Sequence, residues 1–133
     1  MEKLVVPRRS VFAAILLKAM EQPPPNHPED WPTVVHLSKE IVELKKNFRL
    51  DTSHISMRAD RGGWISDDLS TFVNRFVLFG LATRNPVELS ERALDLCRQA
   101  LREDHQAHPK EVDRLIQAVG LRNPPLEQVA LRA

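Results

Sequence analysis

The sequence predicts a mainly α fold carrying one short two-stranded β-hairpin. Three observations carry that expectation. Apolar residues recur at helical spacing in separate segments, most clearly Leu69, Phe72, Val73, Phe76 and Val77 at i, i+3, i+4, i+7 and i+8. Gly80-Leu81 and Gly120-Leu121 stand where helices would stop. Extended pieces are few and short, "LATR" and "VELS", with Asn85-Pro86 between them as a tight turn.

The elements follow in order. "PRRSVFAAILLKAMEQ" predicts a helix over 8–22, entered at Pro7, with Val11, Phe12, Ile15, Leu16, Ala19 and Met20 on one face. "QPPPNHPEDWP" (22–32) is acidic and proline-dense; proline fixes φ and donates no backbone hydrogen bond, so this is a loop or linker. Thr33 then caps a second helix with Val34, Leu37, Ile41 and Leu44 inward. Lys39, Glu40, Glu43, Lys45 and Lys46 fall on its wet side.

Phe48 and Leu50 alternate like a very short strand. Beyond them, Thr52 or Ser53 is expected to cap a short helix carrying Ile55 and Ala59, ended by Gly62-Gly63. The rival is an irregular connection, which is long for a compact domain. Ser66 caps the next helix, and Asp67 and Asp68 sit in its first turn, where the helix dipole favours negative charge. Gly80 is the expected left-handed stop, with Leu81 packing back behind it. Ser90 caps a helix burying Leu94, Cys97 and Leu101. After Pro109 a last helix buries Val112, Leu115, Ile116 and Val119, and Gly120 stops it. "LRNPPLEQVALRA" reads as a loosely held tail or as a clamp on another chain. "VNRFVLFGLATRNP" and "VDRLIQAVGLRNPP" echo one another. Two helices ended by the same stop chemistry explain the echo better than a repeat, which needs at least three stacked units.

A chain of 133 residues is most simply one domain, 1–133, large enough for a core without metal or disulfide staples. The longest apolar run, Val11 to Leu17, is too short to span a bilayer, and no secretion signal is evident, so no membrane association is expected. Cys97, the single cysteine, has no internal disulfide partner, which fits a reducing cytoplasm. The net charge of +1 means that nucleic-acid binding would have to come from a local patch.

Read in order, residues 33–104 give helix, short strand, short helix, turn, helix, Gly-Leu, hairpin and helix. Together with "DLSTFVNRFVLFGLATRNPVELSERALDL", that order resembles the winged helix-turn-helix superfamily of small DNA-binding domains. The resemblance is one of fold pattern and covers a little over half the chain. It implies that the helix from Asp67 is the recognition-type helix, that "LATRNPVEL" is a minimal wing, and that Leu89-Ser90-Glu91 leads into the following helix. It further implies a winged-helix core over 33–104; the very apolar helix at 8–22, ahead of it across the proline loop, is expected to be a dimer element, and a C-terminal helix and tail cover 109–133.

On this expectation the partner is duplex DNA and the protein is a dimeric transcriptional regulator, since a dimer places two reading heads on successive half-sites. Ser70, Thr71, Asn74 and Arg75 lie on the outer face of the recognition-type helix. Asn and Arg suit adenine and guanine, and hydroxyls suit phosphate or base. Arg84 and Asn85 sit at the wing tip, and Lys45, Lys46, Arg58 and Arg61 are candidates to neutralise phosphates, with Arg49 beside them. Asp67 and Asp68 argue the other way, because they would enter a negatively charged groove first. The competing expectation is an adaptor, a winged-helix subunit of a larger protein assembly with no duplex binding of its own.

Trp31 and Trp64 flank loops and are expected to pin them to the core. No catalytic class is indicated. Gly62-Gly63 lacks the lysine-hydroxyl pair of a phosphate loop, and Cys97 lies on a core face. His105 and His108 with Asp104 form only a weak metal motif. No cofactor or metal is expected.

Overall fold

The computed structural model describes residues 4–47, 50–61 and 63–126, Asn47 by its backbone alone. Phe48, Arg49, Gly62 and the last residues of the tail lie outside them. Among the described residues the helices are α1 (Arg8–Glu21), α2 (Val34–Asn47), α3 (Asp67–Leu78), α4 (Glu91–Ala107) and α5 (Pro109–Val119). Between them run small two-stranded sheets. β1 (Leu4–Val5) and β2 (Leu50–Asp51) pair in parallel with Leu4 opposite Leu50. β3 (Arg58–Asp60) and β4 (Gly63–Ile65), then β5 (Ala82–Arg84) and β6 (Val87–Leu89), form antiparallel hairpins.

α1 is the axis of the core. Val11 through Leu17 are all buried, as is Ser10, and the helix packs against α4, α5, α2 and α3. A helix that is apolar all round belongs inside. The apolar face expected to serve a dimer is therefore used within the chain. Its first turn is held by an ion pair whose centre is Asp104 of α4. Arg9 Nη2 lies 2.8 Å from Asp104 Oδ1, and Ser10 Oγ donates to Oδ2 at 2.6 Å. At the far end, Gln22 donates to the Gly120 carbonyl at 3.1 Å and accepts the Arg122 N–H at 2.8 Å. With Leu121 buried and Leu126 packed on the core, residues 121–126 are docked rather than loose.

Local chemistry sets the helix ends. Thr33 Oγ1 accepts the His36 N–H at 3.3 Å while His36 Nδ1 accepts the Thr33 N–H at 3.0 Å, a reciprocal cap with histidine in the usual Glu position. Ser66 Oγ accepts the Leu69 N–H, and the Ser66 N–H in turn donates to Ser38 Oγ of α2 at 3.0 Å in a buried setting. α3 ends in a Schellman arrangement, Leu81 N–H to the Phe76 carbonyl and Gly80 N–H to the Val77 carbonyl, with Gly80 at φ +73°. Gly120 stops α5 in the same left-handed way at φ +82°, which accounts for the echo between the two segments. Ser90 caps α4 through the Ala93 N–H, and the bond from its own N–H to the Leu81 carbonyl closes the base of the β5–β6 hairpin.

The short helix expected between Thr52 and Gly63 is not formed. A turn closed by the Ile55 N–H on the Thr52 carbonyl buries Ile55, and the chain then enters the β3–β4 hairpin. β4 lies along α2, so neighbours distant in sequence choose strand over helix here. Ala59, expected on a helix core face, is exposed opposite Trp64. Trp31 is half-buried, packs on the core and stacks with His27 at 5.1 Å, while the Pro32 carbonyl accepts the Val87 N–H of β6. Trp64 departs from expectation: it is 51 % exposed.

Candidate docking and nucleic-acid interface

α3 and the β5–β6 hairpin supply the candidate interface. Ser70 and Asn74 are one helical turn apart, so their side chains share a face. That face is turned to β5. The Arg84 guanidinium donates to Asn74 Oδ1 through Nη1 and to Ser70 Oγ through Nη2 at 2.9 Å. Three side chains expected to touch bases or phosphates are thus brought together and bonded to one another. A base edge or phosphate reaching them would first have to break those bonds. Asn85 is exposed in the hairpin turn, which the Thr83 hydroxyl braces by donating to the Pro86 carbonyl.

The start of α3 is an anionic cluster answered from within the chain. Arg58 Nε meets Asp67 at 2.8 Å, so that arginine is already paired. Asp68 accepts the Ser56 N–H at 2.9 Å and faces Arg8 at 3.5 Å. The Ser56 backbone bond, helped by Arg8 and His54, holds its carboxyl below the usual range against the opposing effect of burial. Among the described residues, Arg61, Lys45, Lys46, Thr71 and Arg75 are exposed and make no ion pair. Thr71 and Arg75 border a shallow cleft of about 400 Å³ between α1 and α3, with Arg8, Arg9, Phe12 and Phe72.

Leu78, which the spacing places on the outer face of α3, is joined there by Phe79, which the spacing did not assign. Leu78 is 84 % exposed and Phe79 is 79 % exposed, at the end of α3. By the 3.6-residue period they fall on the same side as Thr71 and Arg75. An aromatic ladder joins α3 to α1. Phe72 lies 5.4 Å from Phe12 of α1 and 5.4 Å from Phe76, the latter pair edge to face. The signal was present in the spacing. Leu78 breaks the stripe of Leu69, Phe72, Val73, Phe76 and Val77, and Phe79 sits where the Gly80 stop leaves no helix to fold it back.

The side chains of the weak metal motif are occupied. Burial is the larger influence on Asp104 and raises its pKa, yet the bonds from Arg9 and Ser10 together outweigh it and keep the carboxyl low. That carboxylate is spent on α1, while His105 bonds Asp113 at 2.8 Å and His108 faces Glu111 at 3.4 Å. Burial pushes the Cys97 thiol up to about 12, which leaves it protonated at neutral pH and a poor nucleophile. Among the described residues no helix is long and apolar enough to cross a membrane. Comparison with family models, curated proteins and solved structures finds no match to the chain.

Proposed function

We propose that the chain is a protein-interaction module of winged-helix type, docking on another protein through the outer face of α3. The carrying observation is the exposed pair Leu78 and Phe79 beside Thr71 and Arg75. Burying a leucine or phenylalanine side chain is worth about 1.5–3 kcal/mol each, so the two form a natural anchor for a partner. An arginine at the edge adds an adaptable contact of the kind enriched in interfaces. The bonds joining Ser70, Asn74 and Arg84 favour this use of the helix over base reading. A winged-helix frame suits the role, since α3, the β5–β6 hairpin and α4 follow in the expected order, although β3–β4 replaces the first helix of the pair.

Duplex binding is the second reading. It is favoured by Arg61, Arg75, Lys45 and Lys46, which are exposed and make no ion pair among the described residues. A second copy of the chain is one partner the docking reading admits, and a dimeric regulator would then use α3 rather than α1 for assembly.

The test is capture. Tagged parent protein and the double variant Leu78→Ser, Phe79→Ser are each passed through lysate of cells that make the protein, together with an untagged second copy. The parent is expected to retain a partner at comparable molar amount, and the variant to lose it while keeping its unfolding midpoint. Equal capture by both sinks the proposal. Salt-sensitive binding of the parent to a random duplex, lost in Arg75→Ala, would favour the second reading instead.

A further inference from the structure

A second surface, on α2 and the β3–β4 hairpin, has a different chemistry. Val35, Lys39, Val42 and Lys46 recur at i, i+4, i+7 and i+11 and so form one stripe along α2. Trp64 and Gly63 of β4 stand across from that stripe, and the groove between them has a volume of about 370 Å³. Trp64 remains half-exposed there. Gly63 has a positive φ of +135°, and nothing lies within 4 Å of where a Cβ would stand, so the groove stays open beside the indole. Lys39 and Lys46 are exposed and make no ion pair among the described residues, and Glu43 is the acidic residue of the lining. Their separation of seven residues corresponds to roughly 10 Å along the helix axis.

We infer that this groove binds a nucleobase stacked on Trp64, with the attached phosphates held by Lys39 and Lys46. A flat aromatic surface across from ammonium groups that make no ion pair among the described residues suits a ligand that is planar and apolar at one end and anionic at the other. Nucleotides have that chemistry, and aromatic stacking is tolerant of which base is present. Val35 and Val42 provide an apolar floor, with His36 and Glu43 as the other polar groups of the lining. The ligand has two sources, a free mononucleotide or a single strand. Arg61, exposed in the turn of the same hairpin, extends the positive charge beyond one nucleotide and favours the strand. This inference does not use α3 and stands or falls apart from the docking proposal.

Fluorescence tests it directly. The chain has two tryptophans, so Trp31→Phe leaves Trp64 as the sole reporter. That variant is titrated with oligo(dT) and, separately, with AMP. Quenching by oligo(dT) alone assigns the groove to a strand, and quenching by both assigns it to a nucleotide. In anisotropy with labelled oligo(dT), Trp64→Ala is expected to weaken binding by roughly 5- to 150-fold, and Trp64→Phe to retain most of it. Lys39→Ala with Lys46→Ala, both at exposed positions, should lower the salt slope by about 1.4. Quenching by neither ligand overturns the inference. So does oligo(dT) binding unchanged in the lysine double variant, which remains decisive even if Trp64→Ala fails to fold.

Discussion

At the scale of single residues, the polar side chains near the start of α1 and on α3 are largely spent on contacts within the chain. Asp104 shows it best, because Arg9 and Ser10 spend its carboxylate on fastening α4 to α1. Asp104→Asn removes a charge-assisted bond set and is expected to cost about 2 kcal/mol at pH 7. The pH dependence has a definite sign. The folded-state pKa is lowered. The stabilisation is therefore complete above the unfolded value of about 3.9 and is lost as pH falls through the lower folded value. Urea unfolding of parent and variant should show a gap at neutral pH that closes under acid. Arg84 makes the complementary point. If its bonds to Asn74 and Ser70 are structural, Arg84→Ala lowers stability by about 1 kcal/mol and leaves duplex affinity within about twofold. A base-reading or phosphate-binding arginine would instead show a loss of roughly 1–3 kcal/mol in binding, measured by anisotropy.

Elements differ in how openly the sequence declared them. α3 was legible from its apolar spacing, its Ser66 cap and its Gly80 stop, because each signal is local chemistry acting within a few residues. Gly80→Ala therefore makes a sharp test. No atom lies near the new Cβ, so the cost is the left-handed backbone alone, about 1–2 kcal/mol, read as a lower unfolding midpoint. α1 was placed correctly but given one apolar face, although its unbroken run from Val11 to Leu17 is the pattern of a helix buried all round. β3 and β4 were illegible as strands. They are three residues each, too short for a period to show, and Gly62-Gly63 serves a helix stop and a hairpin turn equally well in sequence. What decides the matter is α2 lying against β4, a contact that no local pattern contains. The same limit applied to the interface. Residue types for a reading face were visible at Ser70, Asn74 and Arg84, but that they satisfy each other depends on β5 folding back on α3.

For the whole molecule, one core built around α1 leaves two surfaces of unlike character. The outer face of α3 ends in bare apolar side chains, and the groove between α2 and β4 sets a half-exposed indole across from exposed lysines. Near the start of α1 and α3, Arg8, Arg9 and Arg58 are matched by carboxylates. On this account the protein works by bringing another protein to α3. Capture with the parent and with Leu78→Ser, Phe79→Ser measures that claim most directly. The account predicts a partner retained at comparable molar amount by the parent and lost by the variant at unchanged stability; the same partner held equally by both would contradict it.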